Sequence, residues 1–154
     1  PMINEGEAKR VERWVQEAVD KGATLLAGGT REGALVPPTV LEDVPETATI
    51  HYEEVFGPAV NLYPVDDLDE AIAAANSVNY GLHAAGFSND VTTSHKLASG
   101  LDCGSVILND STDYRLDSMP FGGVKNSGLG REGLKFSLQE MTEPKVVCWY
   151  LPGV

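Results

Sequence analysis

The sequence predicts an α/β fold in which helices cover both faces of a mainly parallel sheet, forming a three-layer sandwich. Three segments have strand character, AVNLYPV (59–65), HAAGFS (83–88) and CGSVILND (103–110), and a helical segment separates each from the next. Strand, helix and strand in succession indicate right-handed crossovers between parallel strands. With 154 residues, 42% of them hydrophobic, the chain can bury the core that one such domain needs.

A helix and two strands are predicted before this strand–helix–strand succession. Apolar residues recur at helical spacing over residues 5–20, and the Lys21-Gly22 pair that follows is typical of a helix end. ATLLAGG and GALVPPTVL then predict two short strands around a Gly-rich turn. Because proline cannot donate a hydrogen bond, Pro37 and Pro38 predict that the second strand lies at a sheet edge.

The helices of the central unit have recognisable starts. The aspartate pair 66–67 can cap a helix that ends at Asn-Tyr-Gly, residues 79–81, and the Asn-Asp pair 89–90 can cap another that runs to about Leu101. Ligands of such sheets bind beyond the carboxyl ends of the strands. We therefore expect a site in the loop that follows residue 110.

Arg115 lies in that loop, which is dense in Gly, Ser and Asp. Its guanidinium could bind a carboxylate, phosphate or sulfonate of a substrate. The alternative is a local ion pair with Asp113 or Asp117, which an arginine between two aspartates commonly forms. The residues alone leave both possibilities open.

GLGREG (128–133) has the G-x-G-x-x-G pattern of dinucleotide-binding turns. Such a turn should follow a strand, open a helix and precede a second strand that ends in an acidic residue. A helix over about 132–139 meets the second condition, but PFGGVKNS before the turn is not a buried strand and KVVCWYL (145–151) does not end in Asp or Glu. We therefore expect a tight turn before a helix and no pyrophosphate site.

The cysteines and histidines indicate no metal site. Cys103 and Cys148 lack a C-x-x-C partner, and His51, His83 and His95 lack metal-ligand spacing. We expect two free thiols, with Cys103 a buried structural residue, because no neighbouring residue in the sequence would act as a base for a nucleophile.

Charge and hydropathy limit the partners. With 11 basic and 23 acidic residues, the formal charge of −12 argues against binding nucleic acid or anionic membrane surfaces. No apolar run approaches the about 20 residues that span a bilayer, and PMINEGEAKR lacks the apolar core of a secretory signal. A cytoplasmic location is expected.

Several motifs in a fixed order carry a resemblance to a known family. They are PPTVLEDV, YEEVFGPAV, NYGLHAAGFS, GSVILND, MPFGGVKNSGLGREG and QEMTEPK. In this order and spacing, the chain resembles the carboxyl-terminal part of the NAD(P)-dependent aldehyde dehydrogenase superfamily over essentially its whole length. The implied activity is oxidation of an aldehyde to a carboxylic acid with NAD or NADP.

The resemblance implies roles for four residues. In EEVFGP, Glu54 matches the glutamate that holds the nicotinamide ribose, and Phe56 matches the aromatic residue that approaches the nicotinamide. Phe121 matches the aromatic residue that lines the aldehyde pocket. Because Arg115 falls in the family's variable substrate loop, an anionic or strongly polar aldehyde is expected.

The resemblance also implies a subunit contact. Arg131 and Glu143 match positions that make ionic contacts near a dimer interface, and KVVCWYL resembles a strand that joins a sheet across that interface. We expect residues 1–140 to be part of the catalytic domain and residues 141–154 to be the oligomerisation strand and tail. The resemblance therefore implies a homodimer or a homotetramer.

The family's nucleophilic cysteine, general-base glutamate, oxyanion asparagine and dinucleotide-binding domain all lie upstream of the segment that PMINEGEAKR resembles. The chain alone is therefore predicted to be inactive. Two alternatives stay open: a free-standing assembly or regulatory module derived from the family, and the coenzyme-A-acylating or phosphorylating branch of the superfamily.

Overall fold

The computed structural model describes residues 1–153 and contains two compact units, Pro1–Asp67 and the residues from Leu68 onward. Among the described residues, no helix is both long and apolar enough to cross a bilayer.

The first unit is built around helix α1, Glu5–Asp20, which has the bounds that its apolar spacing predicts. Asn4 caps it, since the Asn4 side chain accepts a hydrogen bond from the Glu7 amide at 2.9 Å. The buried face of α1 packs against a core that includes Leu41 and Ile50, both almost fully buried.

A three-stranded sheet completes this unit. Its strands are β1 (Thr24–Ala27), β2 (Thr39–Glu42) and β3 (Ala59–Leu62), and a short helix, α2 (Thr49–Tyr52), precedes β3. β2 pairs antiparallel with β1 and parallel with β3, so it is the central strand. The predicted edge position is therefore wrong: Pro37 and Pro38 precede the strand, and the amide of Thr39 donates to the carbonyl of Pro58 at 2.8 Å.

The second unit contains the predicted strand–helix–strand element. Its elements are α3 (Leu68–Asn76), β4 (Tyr80–Gly81), β5 (His83–Gly86), α4 (Val91–Gly100), β6 (Ser105–Leu108), β7 (Val124–Lys125) and α5 (Leu134–Glu140). β5 and β6 are parallel on either side of α4 in the chain, as expected. Asp90 caps α4 by accepting a hydrogen bond from the Thr93 amide at 2.6 Å.

The α/β character is confirmed, but a continuous parallel sheet and a three-layer sandwich are not seen. The described strands form one mixed three-stranded sheet and two separate pairs, β4 with β7 and β5 with β6. The segment 79–81, expected to end a helix, instead supplies β4, because α3 already ends at Asn76.

Residues 142–151, which include KVVCWYL, form no strand in the described chain. A strand requires a hydrogen-bonding neighbour, and here the side chains are exposed, with Trp149 84% accessible. Pairing of this segment across a subunit interface stays a prediction.

Candidate functional site

The EEVFGP loop is fixed at alternate residues. Arg10 Nη2 donates to the Val55 carbonyl oxygen at 2.6 Å, and the Val55 side chain packs against the core. At Gly57 the backbone approaches α1 so closely that a Cβ would lie 2.8 Å from Val11 Cγ2. Residues 55 and 57 are thus held against helix α1 of the same unit.

The intervening residues, Glu54 and Phe56, are consequently exposed. The Phe56 side chain is 75% accessible, and its backbone has φ 45°, a left-handed conformation that is uncommon for an aromatic residue. A carboxylate can accept two hydrogen bonds from a ribose diol, and an exposed ring offers a flat surface to a nicotinamide. The structure therefore exposes both residues that the family resemblance assigns to the nicotinamide half of the cofactor, and that role stays a prediction.

A second group of predicted residues comes together in the other unit. The Arg115 guanidinium carbon lies 3.9 Å from the Phe121 ring centroid, and Arg115 Nη2 lies 3.1 Å from Glu132 Oε2. The ion-pair partner is thus Glu132 and not Asp113 or Asp117. Both side chains are largely exposed, so water and salt screen this pair and an incoming anion can compete for the guanidinium.

The Phe121 backbone is anchored on both sides. It exchanges two hydrogen bonds with Glu132, with N···O distances of 3.0 and 2.6 Å. The adjacent Gly122 carbonyl oxygen would lie only 1.6 Å from a Cβ at Gly104, so only glycine permits this approach to the start of β6. Phe121 is held near the amino-terminal end of the unit's parallel pair by these contacts.

His83, the first residue of β5, joins the same group. Its Nδ1 lies 2.9 Å from the Thr112 carbonyl oxygen, and its ring packs edge-on against Phe121 with the centroids 5.0 Å apart. A cavity of about 400 Å³ is lined by Leu82, His83, Thr112, Asp113, Arg115 and Phe121. Sequence reasoning gave His83 no role, because its contacts are with residues far along the chain.

The GLGREG segment forms the predicted tight turn. Gly128, Gly130 and Gly133 have φ values of 137°, 70° and 117°, and α5 begins directly afterwards. Arg131 Nη1 donates to the carbonyl oxygens of Gly130 (2.6 Å) and Gly123 (3.0 Å), which ties the turn to the preceding loop.

The remaining candidates have no catalytic geometry here. Glu143 is exposed and forms no ion pair with Arg131 within the described chain, so their interface role stays a prediction. Burial raises the pKa of the Cys103 thiol, the opposite of the activation that a nucleophile needs, and the Cys103 thiol donates to the Ser105 carbonyl at 3.1 Å. Over residues 1–153 no cluster of His, Cys, Asp and Glu could hold a metal ion.

Curated relatives match nearly all of this chain. It is 51% identical over 96% of its length to a putative aldehyde-dehydrogenase-like protein, y4uC, of Sinorhizobium fredii. It is 46% identical over 96% to 3-sulfolactaldehyde dehydrogenase of Priestia megaterium and 48% identical over 99% to aspartate-semialdehyde dehydrogenase 1 of Pseudomonas canavaninivorans. The chain spans 29%, 31% and 33% of these three proteins, respectively.

Solved structures of aldehyde dehydrogenases are also similar to this chain. Aldehyde dehydrogenase 21 of Physcomitrella patens, in complex with the reaction product succinate, superposes with TM-score 0.90 at 48% identity, over 93% of this chain and 30% of that one. Glyceraldehyde-3-phosphate dehydrogenase GapN of Methanocaldococcus jannaschii, complexed with NADP, gives TM-score 0.85 at 45% identity, over 92% and 30%. An aldehyde dehydrogenase of Mycobacterium tuberculosis complexed with NAD⁺ gives TM-score 0.84 at 36% identity, over 93% and 30%.

The model of the aldehyde dehydrogenase family matches residues 1–147, nearly the whole chain. Because the family model, the curated relatives and the solved structures all match nearly the whole chain, the chain belongs to the aldehyde dehydrogenase family.

Proposed function

We propose that the chain is the carboxyl-terminal part of the catalytic domain of an NAD(P)-dependent aldehyde dehydrogenase, which oxidises an aldehyde to a carboxylic acid. The observation that carries this proposal is the family match over residues 1–147. The two exposed groups described above support it, since one fits a dinucleotide and the other fits an aldehyde.

Glu54 and Phe56, in the first unit, are the proposed cofactor-binding residues. The Glu54 carboxylate would accept hydrogen bonds from the nicotinamide ribose, and the Phe56 ring would limit where the nicotinamide lies. When bound, NAD(P)⁺ supplies the hydride acceptor. Relatives of the same fold are complexed with NADP or with NAD⁺, which supports this class of cofactor.

Phe121 and Arg115, in the second unit, are the proposed substrate-binding residues. The Phe121 ring would line the aldehyde pocket, and the Arg115 guanidinium would exchange Glu132 for an anionic group at the far end of the substrate. Names among the relatives support an anionic aldehyde: one acts on 3-sulfolactaldehyde, one on aspartate semialdehyde, and one is bound to succinate.

The covalent chemistry is assigned to other parts of the parent enzyme. A thiolate there would attack the aldehyde, and after hydride transfer water would hydrolyse the thioester. Within this chain, Cys103 is partly buried with a raised pKa, so it does not supply that thiolate. The chain alone is expected to be inactive.

A free-standing assembly module is the alternative. Such a module should carry polar residues wherever the rest of an enzyme would otherwise cover it. Instead, large apolar side chains are exposed, among them Leu129 (100%), Leu134 (84%) and Met141 (83%). This surface favours a segment that packs against more protein.

The test is NAD(P)⁺-dependent aldehyde oxidation by the longer enzyme, with this 154-residue chain assayed in parallel. Formation of reduced cofactor by the longer enzyme alone is the expected result. Thiol-sensitive turnover by the chain alone would contradict its assignment as a non-catalytic part. Absence of turnover with any aldehyde in the longer protein would contradict the enzymatic function itself.

Arg115→Gln tests the anionic substrate. Loss of a charge-assisted contact worth about 1.5 kcal/mol should raise the KM for succinic semialdehyde about tenfold and leave that for propanal unchanged. Arg13→Gln, which makes the same charge change on the exposed side of α1, is the control and should change neither KM. Equal effects of Arg115→Gln on both aldehydes would contradict the anionic assignment.

A further inference from the structure

We infer that His83 is a positioning residue that sets aldehyde selectivity by holding the substrate loop, residues 111–119, against Phe121. The kinetic part of this inference rests on the proposed function, whereas the structural part does not. It assigns a role to a histidine that the sequence motifs leave without one.

The loop has its own local turns. The Tyr114 amide donates to the Ser111 carbonyl at 3.2 Å, and the Met119 amide donates to the Leu116 carbonyl at 2.9 Å. These bonds shape the loop but do not orient it relative to the strands. The bond from His83 Nδ1 to the Thr112 carbonyl, at 2.9 Å, connects the loop to β5.

The same imidazole also orients the aromatic wall. Its edge-on contact with Phe121, at 77° between the planes, fixes one side of that ring, and Arg115 covers the ring at 3.9 Å. His83, Phe121 and Arg115 therefore form a continuous row. His83 therefore constrains Arg115 in two ways: through the hydrogen bond to Thr112, three residues before Arg115, and through the Phe121 ring that Arg115 covers.

The hydrogen-bond geometry fixes which nitrogen matters. A carbonyl oxygen can only accept, so Nδ1 must carry the proton that is donated to Thr112. His83 Nε2 is buried and has no hydrogen-bond partner among the described residues. A substitution that replaces only the Nδ1 donor should therefore preserve the function of the residue, and one that replaces only Nε2 should not.

Asparagine and glutamine provide this matched pair. The side-chain amide of Asn reaches the position of Nδ1, whereas that of Gln reaches towards Nε2. In the longer enzyme, His83→Gln should raise the ratio of KM for succinic semialdehyde to KM for propanal several-fold, with little change in kcat for propanal. His83→Asn should keep that ratio close to the unsubstituted value.

Hydrogen–deuterium exchange of peptides from residues 110–120 gives a readout that is independent of catalysis. We expect faster exchange in His83→Gln than in His83→Asn. Equal exchange and equal KM ratios in the two variants would overturn the inference. If Arg115→Gln leaves the KM values unchanged while His83→Gln still loosens the loop, the anionic-substrate proposal fails and the positioning role stands.

A measurement on the unsubstituted enzyme covers the case in which a variant does not fold. The ¹⁵N chemical shifts of the neutral His83 ring should show the proton on Nδ1. A ring protonated on Nε2 alone could not donate to Thr112 and would overturn the inference.

Discussion

Glu54 and Phe56 alternate along their loop with Val55 and Gly57, two residues that contact α1. Val55 is tied to Arg10, and Gly57 lies against Val11, so the backbone that carries the exposed carboxylate and ring is held against α1. Rigid presentation of this kind reduces the ordering cost when a ligand binds. The left-handed backbone of Phe56 indicates that the surrounding contacts over-determine the loop.

Glu54→Gln should therefore weaken cofactor binding more than aldehyde binding. Glutamine keeps one acceptor oxygen but loses the charge that strengthens hydrogen bonds to a diol. We expect a several-fold rise in KM for NAD(P)⁺, with a smaller change for the aldehyde, measured by initial rates in the longer enzyme. Glu46→Gln, an exposed glutamate elsewhere in the same unit, should leave both constants unchanged.

Individual site residues were predictable to different extents. Local pattern placed Arg115 in a loop after a strand, and in the structure its guanidinium lies over the Phe121 ring. Its partner Glu132 and the contribution of His83 were not predictable, because neither contact leaves a signal in the neighbouring sequence. Both contacts depend on how the loops fold back onto β5 and Phe121.

Among the elements, α4 shows how one side chain defines a boundary. The Asp90 carboxylate accepts a hydrogen bond from the backbone amide of Thr93, and this bond lowers the pKa of Asp90 from its ordinary value of 3.8. The folded state thus favours the ionised carboxylate. The resulting stabilisation is present above pH 3.8 and is lost as the pH falls through the lowered pKa of the folded protein.

Asp90→Asn should test this linkage, because asparagine can cap the helix but does not titrate. We expect the free energy of unfolding of the unsubstituted chain to exceed that of the variant at neutral pH, and the difference to shrink below pH 3.8. Urea titrations at several pH values would measure it. Asp117→Asn, in the substrate loop, is the matched control; a pH-independent difference for Asp90→Asn would contradict the prediction.

Helices were predicted more accurately than strand pairing. α1 and α4 have local signatures, namely apolar spacing and a capping side chain, and both lie within a residue of the predicted bounds. Pairing depends on distant partners: β2 became a central strand although two prolines precede it, and β3 pairs with β2. The expected continuous parallel sheet is not seen among the described strands, because strand character alone does not determine which strands pair.

For the molecule as a whole, the most informative surface is the exposed apolar carboxyl-terminal region. Val146, Val147, Trp149, Tyr150 and Leu151 are each at least 64% accessible. Alternate residues of an extended segment share a face, so Val147, Trp149 and Leu151 would lie together if the segment pairs with a sheet. Pairing of this segment with a second copy, which would cover these side chains, stays a prediction.

Trp149→Asp should then weaken self-association. We expect a smaller mass by light scattering coupled to size-exclusion chromatography, because a buried aspartate at a subunit contact would lack a compensating partner. Val91→Asp, at an exposed valine in α4, should leave the mass unchanged. An unchanged mass for Trp149→Asp would show that this segment does not mediate assembly.

Arg10 makes three contacts in the first unit, two within α1 and one with the EEVFGP loop. It pairs with Glu7 at 2.6 Å, stacks over Trp14 at 4.4 Å and donates to the Val55 carbonyl. A saturation mutagenesis screen for altered nicotinamide preference would ordinarily omit an arginine on a surface helix. In this protein, position 10 belongs in such a library, since a shorter side chain there would remove the hydrogen bond to Val55, between Glu54 and Phe56, without touching either residue.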